Sequence, residues 1–256
     1  MRRTAPGALA LACALATTGC EGSLPPLRGQ MEVGRDAYAV FVAGRSPSGG
    51  DLYAVRTEGG PVVPITFTNV GEMRPRLSPD GGSVVFLRGR SLTDSTPASI
   101  WVMNLLSGAE RELVLPKGAG KPAAAAWSDG GRTIVVSAGA LYVFDAPPAD
   151  AAAHLVEPSR RASAESSLAV VVGHPAFATV VPCADSKDLC VQTDTGAPGL
   201  LASGARDAFA WGRDSVAYFI GDAVEIRPLG PGRSRALELD APRPRQMTAF
   251  TGLPTR

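Results

Sequence analysis

Few side chains in this 256-residue sequence are of the types that make and break covalent bonds, and their spacing decides what they can do. Histidine occurs only at His154, inside an alanine-rich connection, and at His174, just ahead of Pro175. General acid–base work needs a carboxylate or a nucleophile beside the imidazole. Neither stretch supplies one, so both read as surface or turn histidines. A serine nucleophile on a strand-to-helix elbow calls for Gly-x-Ser-x-Gly, and the pentapeptide is absent. Gly118-Ala119-Gly120-Lys121-Pro122 carries the lysine of a phosphate loop, but Leu115 stands where the first glycine belongs and Pro122 replaces the magnesium-binding hydroxyl. It reads as a connecting loop. Asp36, Asp80, Asp129 and Asp214 recur and invite a ring of metal-binding carboxylates, yet each sits in turn sequence where aspartate bonds its own backbone. No zinc set, dinucleotide-binding glycine pattern or calcium loop is present. The expectation is a protein with no catalytic residue, no metal and no cofactor.

The cysteines point to an address. Arg2 and Arg3 open a basic segment, residues 8–16 are apolar, and Thr17-Thr18-Gly19 puts small residues before Cys20. That is the layout of an export signal, with an apolar stretch short of the roughly 20 residues a membrane span needs. Gly19-Cys20 resembles the end of a bacterial lipobox, with Thr17 where that motif usually has leucine. The resemblance implies that Cys20 is acylated and becomes the mature N-terminus; ordinary cleavage with Cys20 as a bystander is the other reading. Losing residues 1–19 removes two arginines and no acid, so the formal charge moves from +1 to −1. Cys13 leaves with the signal, and Cys183 and Cys190 remain as an even pair in an oxidising space. A disulfide between them is predicted, joining two apolar runs across a polar turn. A zinc pair lacks further ligands at a usable spacing.

The elements that would carry these residues are strands. The 29 glycines and 22 prolines fall between apolar runs of about five residues, as turns do in an all-β protein. No block of five like charges occurs, which disfavours nucleic acid and charge-driven membrane binding. Ser78-Pro79-Asp80-Gly81 is a turn between two apolar strands: Pro79 presets φ, and Gly81 accepts the left-handed conformation. The motif returns at Ser128-Asp129-Gly130-Gly131, and Gly34-Arg35-Asp36 matches Gly212-Arg213-Asp214. Trp127 and Trp211 lie 84 residues apart, twice 42, a period typical of four-stranded propeller blades. A further copy is expected around residues 167–181, with Gly173-His174-Pro175 as its turn. Each hairpin is followed by an aromatic-centred strand, such as Leu52-Tyr53-Ala54-Val55 or Ile100-Trp101-Val102-Met103, and then by a short fourth strand. Val84-Val85-Phe86 is apolar on both faces and must be covered on both sides. Residues 123–126 are good helix formers but are caged between Pro122 and a turn, so they read as a strand. Residues 149–153 read equally as one helical turn or as a loop.

Leu52-Tyr53-Ala54-Val55, Gly59-Gly60, Ile65-Thr66-Phe67, Arg76-Leu77-Ser78-Pro79-Asp80-Gly81 and Val84-Val85-Phe86, in that order, resemble the WD40-like repeat of the TolB family of periplasmic β-propellers. The resemblance spans roughly residues 33–250. It implies a β-propeller of about five to six four-stranded blades over residues 31–256, after a signal at 1–19 and a tether at 20–30. There is no room for the family's N-terminal α/β domain. The tail Arg245-Gln246-Met247-Thr248-Ala249-Phe250 is expected to pair with an N-terminal strand and close the ring, which removes two exposed edges. Arg74 and Arg76, flanking Pro75 at the start of an inner strand, are candidate binding residues at the channel mouth. Trp101, Trp127 and Trp211 are expected in the core. The function that follows is a monomeric, lipid-anchored, non-catalytic module holding an envelope protein or peptide, at the outer membrane and facing the periplasm or the surface. Two alternatives are an envelope enzyme acting on polysaccharide or peptide from within the channel, and a purely structural envelope protein.

Overall fold

The computed structural model describes residues 27, 29–44, 49–91, 96–128, 131, 133–145, 154–155, 178–183, 188–193, 199–212 and 214–252. Among them every regular element of more than one turn is a strand, and the strands form five antiparallel sheets. The first holds β1 (Tyr38–Ala43), β2 (Asp51–Arg56) and β3 (Val63–Pro64). The second runs β4 (Glu72–Leu77), β5 (Ser83–Arg88), β6 (Ser99–Asn104) and β7 (Glu110–Glu112). The third runs β8 (Ala124–Ser128), β9 (Thr133–Ser137), β10 (Leu141–Asp145) and β11 (His154–Leu155). The fourth has β12 (Ala178–Pro182), β13 (Leu189–Thr193) and β14 (Gly199–Ala202); the fifth has β15 (Arg206–Trp211), β16 (Ser215–Ile220), β17 (Ala223–Pro228) and β18 (Arg235–Leu237). The last strand, β19 (Arg245–Phe250), returns to the first sheet and pairs with β1 in the order β19-β1-β2-β3. The expected pairing of the tail with an N-terminal strand is therefore present.

Side-chain alternation shows how the sheets stack. Tyr38, Val40 and Val42 of β1 share one core with Val84 and Phe86 of β5, while Ala39 and Phe41 share another with Trp211 and Phe219 of the fifth sheet. Strand β5 repeats the pattern, since Val85 and Leu87 pack with Ile134, Val136 and Phe144 of the third sheet. Likewise Val216 and Tyr218 pack with Leu189 and Leu201 of the fourth. Each such strand is therefore apolar on both faces because a sheet covers each face. The stacking order is fourth, fifth, first, second, third. The edge strands β15, β19, β4 and β8 meet in that order along the inside of the stack. Trp211 is buried, whereas Trp101 and Trp127 are half-buried against the cores of the second and third sheets.

Two sequence expectations change. Leu27, inside the stretch read as a tether, is fully buried with Tyr38, Phe86 and Leu105, and its carbonyl accepts from the amides of Gln30 and Met31. Proline and polarity around it hide one apolar residue that seals the base of a core. His154 was placed in a connection, but its backbone pairs with Val143 as part of the two-residue outer strand β11. Residues 124–126 of the alanine run lie in the strand β8 as expected, and their small side chains suit an inner position where neighbouring sheets converge. The candidate turn at 173–175, with His174, and residues 149–153 lie outside the described residues.

Cys183 and Cys190 form a disulfide with their Cα atoms 5.1 Å apart, at the turn joining β12 to β13 where Val181 already pairs with Cys190. Replacing both cysteines with serine should lower unfolding stability by about 2.5 kcal/mol, the loop-entropy value for so short a loop. Urea titration of oxidised wild type against the double variant, with reduced wild type as control, measures it.

Candidate functional site

The inner strands do not run straight to their ends. In β4, Arg76 pairs with Val85 and Met73 with Leu87, so three steps on one strand match two on the other. The same extra residue occurs between Arg206 and Phe209 in β15, and between Arg245 and Thr248 in β19. These are β-bulges, which release one residue from the ladder and re-aim its side chain. In all three the residue after the first bulge position is left-handed: Arg74 (φ 54°), Asp207 (φ 52°) and Gln246 (φ 49°). None is glycine, so each costs about 1 kcal/mol or more. Strand β8 pairs continuously with β9 and has no bulge.

Inter-sheet hydrogen bonds hold the strained positions. Asp207 Oδ2 accepts from the Gln246 amide at 3.3 Å, and Gln246 Oε1 accepts from the Arg74 amide at 2.8 Å. Arg74 Nη1 then donates to the Ala123 carbonyl beside β8. Each side chain thus engages the backbone of the next sheet at the same level. This relay crosses the inside of the stack from the fifth sheet to the third and fixes the register of four sheets.

The relay borders a cavity of about 250 Å³ between β4, β8, β15 and β19, lined by Arg74, Arg76, Ala124, Ala125, Asp207 and Phe209 among others. Arg74 is exposed at its opening and Arg76 is half-buried. Burial, and then the neighbouring Arg74 charge, hold the Arg76 guanidinium below its usual pKa, while Asp207 pulls the other way. Burial also lowers Arg245, whose Nη2 is enclosed without a partner. Arg206 reaches Asp207 at 3.4 Å and the Gly221 and Pro244 carbonyls at 2.7 and 3.0 Å. The mouth thus gathers arginines around one carboxylate, an arrangement suited to an anionic group. Arg74 and Arg76, the sequence candidates, both line this cavity. Asp207, Gln246 and the bulges were missed; the recurrence of Arg206-Asp207 and Arg245-Gln246 at two inner-strand starts was the available signal.

A larger cavity of about 500 Å³ lies at the opposite strand ends between the second and third sheets, beside Ser78, Asp80, Asn104, Glu110 and Trp127. Asp80 is committed to its turn: Oδ1 accepts from Ser78 Oγ at 2.5 Å and from the Gly82 amide at 2.9 Å. Among the described residues no group of three histidine, cysteine or acidic side chains is placed to hold a metal. The glycine-rich loop before β8 has its Gly120 amide on the Ala138 carbonyl at 2.8 Å, and a Cβ there would sit 2.7 Å from that oxygen. Gly120 serves close backbone packing.

Antiparallel sheets of four strands, three in the described part of the fourth, stacked face to face, with β15, β19, β4 and β8 adjacent along the inside and the last strand completing the first sheet, define the architecture. The fold is a β-propeller. Among solved structures the chain is similar to TolB from Acinetobacter baumannii, at 16% identity and a TM-score of 0.39, over 82% of this chain and 54% of that one. It is similar to a chain of the nidogen/laminin complex at 11% identity and a TM-score of 0.49, over 85% of this chain and 100% of that one. It is also similar to TolB from Agrobacterium tumefaciens, at 15% identity and a TM-score of 0.37, over 78% and 60%. The chain spans little more than half the length of these TolB proteins. No protein-family model and no curated protein matches the sequence.

Proposed function

We propose that this propeller is an exported, lipid-anchored, non-catalytic binding module that holds a protein or peptide partner at the cell envelope, outer membrane included. The basic and apolar N-terminal stretch ending at Cys20 supports export and anchoring, and the disulfide suits an oxidising compartment. The observation that carries the binding role is what gathers at one end of the propeller. The bulged starts of β4, β15 and β19 lie there with Arg74 exposed. Phe67 after β3, Val114 after β7 and Ile220 at the β16–β17 turn are exposed at the same strand ends, Phe67 at 79%. The described ends of the 90–98 insertion, between β5 and β6, belong to that end too. Apolar anchors around a charged centre make a recognition surface, and loops on a rigid scaffold are where binding residues concentrate.

Charge or bulk placed in the 90–98 loop, for instance Arg90→Glu with Ala98→Trp, both exposed, should abolish partner capture and leave the melting temperature unchanged. Affinity capture from the envelope with wild type and variants as bait reads this directly. Capture that survives every substitution at this end of the propeller overturns the proposal.

A further inference from the structure

We infer that the axial mouth is an oxyanion site, receiving one carboxylate or phosphate group between Arg74 and Arg76. The inference rests on the binding role of this end of the propeller and specifies the chemistry it recognises. Arg74 is held at two points: its amide by Gln246 Oε1 at 2.8 Å and its guanidinium by the Ala123 carbonyl. Its charge is therefore positioned before any ligand arrives, which reduces the ordering cost of binding. Arg76 spends one donor on the adjoining Pro75 carbonyl at 2.9 Å, and a guanidinium carries five N–H groups. No carboxylate lies within ion-pair distance of Arg74 or Arg76 among the described residues. Asp207, the acid that lines the cavity, is engaged by the Gln246 amide and by Arg206. Two guanidiniums that repel each other across a partly dry space are stabilised by an anion set between them, and the planar fork suits carboxylate and phosphate alike.

Size narrows the occupant. The cavity of about 250 Å³ falls below the roughly 300–1,000 Å³ of ordinary small-molecule sites. Ala124 and Ala125 form its wall on β8, so no long side chain fills it from that strand. It admits a single anionic group, either a free small anion or the carboxylate of a partner chain.

The test is isothermal titration of the full-length chain, purified in detergent, with inorganic phosphate and with succinate at constant ionic strength. Saturable one-to-one binding is expected, weakened at least about tenfold by Arg76→Gln and by Ala124→Glu. The second variant sets a carboxylate opposite the arginines as an internal competitor and carries the test should Arg76→Gln fail to fold. A peptide with a free C-terminal carboxylate, compared with its amide, separates the two sources. Displacement of phosphate by the acid alone assigns the site to a partner's carboxylate; no displacement by either assigns it to a free anion. No saturable heat up to about 20 mM, or affinity unchanged in folded variants, overturns the oxyanion site. Partner capture sensitive to the 90–98 loop would leave the binding role standing even then.

Discussion

A chain ending at residue 244 is expected not to fold. Its loss removes β19, and with it the hydrogen bonds to β1 over Tyr38, Ala39, Val40 and Val42. Met247 and Phe250 are buried at 1% and 5% exposure, so their two side chains alone contribute about 4 kcal/mol. The deletion also removes the Thr248 hydroxyl that accepts from the Leu77 amide at 3.3 Å and the Gln246 side chain that holds Arg74. Strand β1, buried along its whole length, would become an open edge prone to foreign pairing. These terms together match the roughly 5–15 kcal/mol total stability of a typical domain. The truncated protein is expected to accumulate as insoluble material without a cooperative thermal transition, measured by solubility and circular dichroism. A soluble truncation with a sharp melt would refute the role of β19. The same seam is sensitive at one point: Gly81 has φ +70° and a Cβ there would meet the Phe250 ring at 2.8 Å, beside the carbonyl that accepts the Tyr38 hydroxyl. Gly81→Val should therefore cost about 3 kcal/mol in urea unfolding, from left-handed strain and overpacking.

Removal of the Glu72 carboxylate should be the most damaging single polar substitution. Glu72 is fully buried; Oε1 accepts from Thr68 Oγ1 at 2.9 Å and Arg88 Nε at 3.1 Å, and Oε2 accepts from Thr66 Oγ1 at 3.0 Å. Thr66 Oγ1 in turn accepts from the Leu52 amide at 2.8 Å, so the network ties the first sheet to the second. Arg88 lies over the Phe86 and Trp101 rings and also pairs with Glu110 at 2.7 Å. Glu72→Ala leaves Arg88 buried with Glu110 alone, and a cost of about 3 kcal/mol is expected, the lower end for a broken buried pair because one partner remains. Glu72→Gln, which keeps shape and hydrogen bonding, should cost markedly less.

The same residue gives a pH dependence with a definite sign. Burial pushes the Glu72 carboxyl up from 4.5 to about 7, against the opposing bonds from Thr68, Arg88 and Thr66. Between those values the folded protein holds a proton that the unfolded chain has released. This contribution is therefore complete below pH 4.5 and is lost as pH rises through 7, amounting to about 3 kcal/mol over the interval. Urea midpoints at pH 5 and pH 7.5 should fall with rising pH in wild type, with the slope from this group absent in Glu72→Gln. An identical pH profile in the two proteins would contradict it.

Local chemistry alone determined the repeating strand, its turns and the disulfide. Pro79, Asp80 and Gly81 specify a turn through dihedral limits and a self-made hydrogen bond, and runs such as Val84-Val85-Phe86 specify a strand covered twice, so no distant residue is needed to read them. Arg74 and Arg76 were legible as flanking a proline at an inner-strand start, yet their relation to the other sheets was not. That relation depends on bulges in β4, β15 and β19, and one extra residue in a ladder leaves no mark in composition or alternation until the partner strand's register is known. Burial of Leu27 and of the Glu72–Arg88 pair, and the strand at His154, likewise depend on which sheet covers which. The sequence thus carried what sterics impose within a few residues. The tertiary structure decided what depends on register across strands and on desolvation between sheets, including the set of side chains that meets at the axial mouth.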